Sequence, residues 1–227
     1  MRFLLTNDDG VDALGLSLLA DVSAERGHVT VLAPQTEQSG VGHRVHTRGG
    51  MLLEERGPDR HALAGTPADC TRVALKARQV EVDWVLSGLN HGGNLGVDLV
   101  MSGTVAGARE GAILGRQAIA LSQVLHRDHP PDPPRVRALT AHVLDVLLAK
   151  PLPAGQFYNV NLPFKPESEL PELVFCGPDP SPHDVRYREE SDGYHYDGAF
   201  LERHRKEGLD VSVVWAGKVA ISVLSVV

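Results

Sequence analysis

Two adjacent acids, Asp8 and Asp9, stand between Asn7 and Gly10 at the end of a short apolar run. Inside a strand such neighbours would point to opposite faces, but where the chain turns at Gly10 both can aim at one point. Carboxylates brought together repel unless a proton or a cation lies between them. A hard divalent ion held by oxygen meets that need, and Mg²⁺ or Mn²⁺ fits better than zinc because no His or Cys partner stands nearby. The structural alternative is that Asp8 caps the turn and Asp9 is simply solvated.

Three more polar segments could serve the same chemistry. Ser39 lies in Gln38-Ser39-Gly40-Val41-Gly42 with no acid–base pair beside it. It reads as an ordinary loop serine or as a neutral oxygen ligand, not as a nucleophile. The run from Ser87 through Asn90 and Asn94 to Gly96 is richer in glycine and asparagine, so its backbone can approach a ligand closely and supply amide oxygens and donors. It is neither a dinucleotide fingerprint nor a Walker loop, and a tight connector is its alternative reading. Ser102-Gly103-Thr104 opens an Ala/Gly-rich helix, where free amides, hydroxyls and the helix dipole suit a phosphate, or where the serine is a plain cap. Asp69 is accounted for as the third residue of a capping box begun by Thr66. His43, His46, His91 and His183 read as loop or surface residues, with a place at the border of the site as the alternative.

The elements needed to position these residues follow from pattern. Arg2 to Thr6 is a β-suited run. Leu14, Leu18 and Val22 repeat at helical spacing, Gly27 stands where a C′ glycine would end that helix, and His28 to Ala33 reads as a second buried strand. Strand, helix, strand implies a parallel sheet with a right-handed crossover. Thr66 to Gln79 reads as a helix, Val82 to Ser87 as a strand, Thr104 to Leu114 as a helix and Ala118 to Ser122 as a strand. A proline-rich connector leads to a helix over Val136 to Leu148 and a strand over Phe157 to Asn161. From Pro163 to about Gly208 regularity fails, which predicts projecting arms or a hairpin suited to self-association. Val211 to Trp215 and Val219 to Leu224 are expected to close the chain as strands. The expected architecture is one α/β domain: a core over 1–162, an irregular projection over 163–210 and closing strands over 211–227. Ligands of such sheets bind outside the carboxyl ends of the strands, where the four polar segments fall.

Composition narrows the partners. In 227 residues, 22 Lys and Arg face 29 Asp and Glu, for a net charge of −7. Without a basic run, this argues against duplex nucleic acid and anionic membranes, though not against a small anion held by a local metal. Two distant cysteines point to neither a zinc cluster nor a disulfide framework. The absence of a leader-like segment or a long apolar run leads us to expect a soluble, cytoplasmic protein.

Taken in order, Asn7-Asp8-Asp9-Gly10, Ser39-Gly40, Gly65-Thr66-Pro67-Ala68-Asp69-Cys70, Ser87-Gly88-Leu89-Asn90 through Asn94, and Ser102-Gly103-Thr104-Val105 resemble the SurE (survival protein E) family of 5′/3′-nucleotidases. The likeness covers most of 1–125 and returns at the terminal strands. It implies a Rossmann-like parallel sheet between helices, with a protruding carboxyl-terminal part that helps form a homodimer or homotetramer. It implies one divalent cation per subunit, Mg²⁺ or Mn²⁺, held by Asp8, Asp9, Ser39 and Asn94, with Asp8 and Asp9 catalytic. It further implies phosphate contacts from Ser102, Gly103 and Thr104, with Asn7 and Asn90 close by. Nucleoside monophosphates are the implied substrates, and some members cleave short polyphosphate. The stretch Pro178 to Tyr196 departs from the Asp-Pro-Arg-Gly-Arg-x-Tyr-Tyr run associated with the family. A non-catalytic nucleotide-binding module on the same loops is the rival from another class. A redox enzyme is a weaker third reading, lacking its glycine fingerprint.

Overall fold

The computed structural model describes residues 1–182, 185–198 and 200–227. The chain runs β1 (Arg2–Thr6), α1 (Leu14–Ala24), β2 (His28–Pro34), β3 (Leu53–Gly57), β4 (Arg60–Leu63) and α2 (Pro67–Arg72). It continues through β5 (Trp84–His91), α3 (Gly103–Ile113), β6 (Gln117–Gln123), α4 (Pro133–Leu147), β7 (Gln156–Leu162) and β8 (Leu173–Phe175). The last elements are β9 (Tyr187–Glu190), β10 (Gly193–Tyr196), α5 (Asp210–Trp215) and β11 (Val219–Ser225).

Nine strands form one sheet in the order β3-β4-β2-β1-β5-β6-β7-β11-β8. From β4 to β7 every neighbour is parallel, whereas β3 and β11 run antiparallel to their inner neighbours. The sheet is therefore mixed but mostly parallel. Its pleat sends alternate residues to two cores. Phe3, Leu5, Ile119 and Leu121 meet α1 and α4, while Leu4, Val85, Ala118 and Ala120 meet α2 and α3. This gives the expected three layers.

The small residues of α3 bring it close to the sheet. A Cβ on Gly107 would lie 2.7 Å from Ser87 Oγ, and one on Gly111 would lie 2.9 Å from Val85 Cβ. The Ala/Gly composition is thus a packing requirement, and it seats the start of α3 beside the ends of β1 and β5.

Several expectations change. Val211 to Trp215 is not a strand but the helix α5, beginning at Asp210 with Val211 and Val214 buried. A short β-branched run takes its form from what it packs against rather than from propensity. Gly27 is not a left-handed helix end: the helix caps at Glu25, and a Cβ on Gly27 would lie 2.0 Å from the Met1 carbonyl oxygen. Close approach of the first residue explains it. The helix after Thr66 is regular only to Arg72 and then widens into a π-helical turn over Val73–Ala77. β5 runs on to His91 through a register shift between Ser87 and Asn90, so part of the presumed connector is strand. β3 escapes the sequence reading because it is a short, charged edge strand, and β4, buried from His61 to Leu63 between β3 and β2, is only four residues long.

The irregular region yields the β9–β10 hairpin, which carries exposed Tyr187, Tyr194 and Tyr196. Among the described residues, no helix is long and apolar enough to cross a membrane.

Candidate active site

An open cleft of about 1460 Å³ lies at the carboxyl ends of β1 and β5 and is lined by Asp8, Asp9, Ser39, Asn90, Asn94 and Ser102 among others. Six of the nine site residues expected from the sequence therefore face one space. The other three, Asn7, Gly103 and Thr104, lie behind it and hold its wall.

The wall is built on Asp8. The Thr104 hydroxyl donates to Asp8 Oδ1, and a Cβ on Gly103 would lie 2.9 Å from Asp8 Oδ2, so the first turn of α3 rests on this carboxylate. The Asp8 carbonyl accepts from the Gln38 amide at 2.7 Å, which brings the Ser39 loop alongside. Asp8 is only 5% exposed. Burial, opposed by the Thr104 hydrogen bond and reinforced by the charge of Asp9, pushes its carboxyl up to about 6. Asp9 is half-buried and accepts from the His91 amide at 3.1 Å. Burial raises its pKa also, against the hydrogen bond from His91.

Asn7 is fully buried, donating from Nδ2 to the Gly10 carbonyl at 2.9 Å, while its buried Oδ1 has no hydrogen bond among the described residues. That bond tightens the turn that presents Asp8 and Asp9 together. Asn90 donates to the Gly92 carbonyl, and the Ser102 hydroxyl caps α3 by accepting from the Val105 amide at 3.0 Å. Thr104 is engaged with Asp8 in this structure. Ser39 is exposed and donates to Glu37 at 2.7 Å.

The histidines divide. His91 lines the cleft, whereas His43 lies 2.8 Å from Glu110 and His46 lies 2.6 Å from Asp69, both outside the cleft lining. These two pairs tie the segment after Ser39 to α3 and α2. Asp69 makes the expected capping box and accepts the His46 amide as well, so the box explains only part of its role. His183 lies outside the described residues.

Sequence reasoning missed Glu37 and Asp98, which line the cleft, and Ser122, Asn159 and Asn161, which bind Asn94. A signal was present for the last two, since asparagine is depleted in strands.

The donor set suits a hard divalent cation. Two acids whose pKa values are raised by burial, together with neutral serine and asparagine oxygens, form an all-oxygen group with charge in need of compensation. The cleft lining adds Asp21, Glu37 and Asp98 against Arg137, and Asp98 is answered by Arg203 at 2.5 Å.

Comparison with known proteins bears on the family and the fold. The protein-family model described as survival protein SurE matches residues 3–179. A 5′-nucleotidase SurE of Vibrio parahaemolyticus is 35% identical over 233 residues, covering 100% of this chain and 89% of the relative. The Nostoc sp. protein alr3139 is 44% identical with both chains covered in full. The crystal structure of a SurE protein from Aquifex aeolicus superposes with a TM-score of 0.85 at 29% identity, covering 100% of this chain and 94% of that one. Since the family match spans most of the sequence and the whole fold superposes, the chain belongs to the SurE family.

Proposed function

We propose that this protein is a divalent-metal-dependent phosphatase that hydrolyses nucleoside 5′-monophosphates to nucleoside and phosphate. By family resemblance, 3′-nucleotides and short polyphosphate are further substrates. Its relatives' name as 5′-nucleotidases supports the reaction. The observation that carries the metal dependence is electrostatic: Asp8, Asp9, Asp21 and Glu37 line the same cleft. A dianionic ester cannot approach such a wall at useful affinity unless a cation stands between.

Asp8, Asp9, Ser39 and Asn94 hold the cation through oxygen atoms. When bound, a divalent ion supplies Lewis acidity at phosphorus and lowers the pKa of the attacking water. Asp8 orients or deprotonates that water, held in place by Thr104. Asn90, Ser102 and the amides of the first turn of α3 receive the phosphate oxygens and stabilise their charge as the bond to the leaving oxygen breaks. Asn7 and Gly103 act from behind, fixing the turn and the helix against Asp8. The chain works as one unit over 1–227, with the β9–β10 hairpin of segment 163–210 serving homodimer or homotetramer formation.

Phosphate released from AMP, measured with Mg²⁺ or Mn²⁺ and again with EDTA, tests the reading. Release that EDTA abolishes and added metal restores is the expected result. Release indifferent to EDTA would remove the metal from the mechanism. Tight AMP binding without release would make the protein a non-catalytic nucleotide-binding module.

A further inference from the structure

Asn94 is bound on every polar group except one. Its backbone N–H donates to Asn161 Oδ1 at 2.8 Å, and its carbonyl accepts from Asn161 Nδ2 at 2.9 Å and from Asn159 Nδ2 at 3.0 Å. Its side-chain Nδ2 donates to Ser122 Oγ at 2.8 Å. The remaining atom, Oδ1, has no hydrogen bond among the described residues, and Asn94 lines the cleft.

The three partners are costly for a strand to carry. Asn159 and Asn161 are two residues apart in β7 and so share a face of the sheet, and with Ser122 at the end of β6 all are buried. Asparagine suits strands poorly, and burying an amide costs free energy unless its hydrogen bonds are made. Asn159 Oδ1 has no hydrogen bond among the described residues, so its own hydrogen bonding does not repay its burial. What the pair does accomplish is to copy a strand partner. Asn161 exchanges both an acceptor and a donor with the backbone of residue 94, as a neighbouring β-residue would, and so holds a loop peptide at the sheet's edge of the cleft.

The geometry points to Ser122, Asn159 and Asn161 as positioning residues that fix Asn94 with its amide oxygen, not its amide nitrogen, presented to a cation. Asn159 and Asn161 set the backbone, and Ser122 sets the amide face by accepting from Nδ2. A flipped amide would offer two N–H donors, which repel a cation. This inference rests on the proposed role of Asn94 as a metal ligand. Partners of this kind, behind the ligands themselves, commonly govern metal affinity about 10- to 100-fold.

The test is titration of the full chain with MnCl₂ by calorimetry, for the parent, Ser122→Ala, Ser122→Thr, Asn161→Ala and Asp8→Asn. Unfolding of each metal-free protein and KM for AMP are measured alongside. Mn²⁺ affinity should fall about 10-fold or more in Ser122→Ala and Asn161→Ala. It should return toward the parent value in Ser122→Thr, which keeps the hydroxyl, and metal-free Ser122→Ala should unfold close to the parent. Parent-like Mn²⁺ affinity in both alanine variants, with binding lost in Asp8→Asn, overturns the positioning role and leaves the metal site standing. Binding unaffected by Asp8→Asn overturns the metal reading and this inference with it. A raised KM for AMP with unchanged Mn²⁺ affinity means that the amide N–H groups face substrate, which overturns the oxygen-outward orientation.

Discussion

Thr104 donates its hydroxyl to Oδ1 of Asp8, so the first turn of α3 is fastened to the acid that ends β1. The two residues are 96 positions apart in sequence and both are buried. This contact joins the helix tip to the acid pair and sets the direction in which Asp8 points. Thr104→Val keeps the shape and removes the donor. At pH 8 it should destabilise the metal-free protein by about 1.5–3 kcal/mol, the usual worth of a hydrogen bond to a charged group. The displaced carboxylate should lower kcat about 100-fold. Urea unfolding and initial rates with AMP provide the check; wild-type kcat would mean that Asp8 needs no such tether.

Asp8→Asn and Asp9→Asn should each abolish turnover while preserving the fold. Because a ligand that binds only the native state stabilises it by mass action, saturating Mn²⁺ should raise the unfolding temperature of the parent. At 100 times Kd the gain is about 2.7 kcal/mol. In both variants that metal-induced increase should vanish. Retained activity in Asp8→Asn would end its assignment.

Glu110 is fully buried in α3, with His43 at 2.8 Å and Arg72 at 2.6 Å. Burial pushes its carboxyl up, but the hydrogen bonds from His43 and Arg72 outweigh this and hold it below its ordinary value of 4.5. An acid depressed in the folded state contributes stability that is present above the unfolded value and is lost as pH falls through the folded one. Glu110→Gln, which weakens the hydrogen bonds to His43 and to the partly exposed Arg72, should cost about 1.5 kcal/mol at pH 7, because Arg72 regains water. The difference from the parent should shrink as pH drops below 4.5. Denaturation curves across pH 3 to 7 measure it, and a gap that widens on acidification would contradict the sign.

The β9–β10 hairpin exposes Tyr187 and Tyr194, while Tyr196 lines the cleft. If the projection mediates self-association, Tyr187→Ser with Tyr194→Ser should shift the mass seen by light scattering toward the monomer. Tyr196→Ser should instead alter KM for AMP. An unchanged mass would place the contact elsewhere.

Local pattern was enough for much of the fold. Leu14, Leu18 and Val22 marked α1, and the turn at Asn7 to Gly10 marked the end of β1, because periodicity and turn chemistry act over a few residues. Val211 to Trp215 could not be settled that way: alternation and helical spacing both fit five residues, and only packing against the terminal strand chose the helix. The charged edge strand β3 had no apolar face to announce it, and the four residues of β4 were too few to show a period.

The sequence by itself determined which residue types were present for oxygen-ligand chemistry and where along the chain they fell. That information lies in composition, spacing and turn propensity, all of which are local. The tertiary structure alone decided which of those residues share the cleft, that Thr104 supports Asp8, and that Asn159 and Asn161 hold Asn94 from another strand. Such contacts are made between segments brought together by sheet order, and sheet order depends on the packing of the whole chain rather than on any window of it.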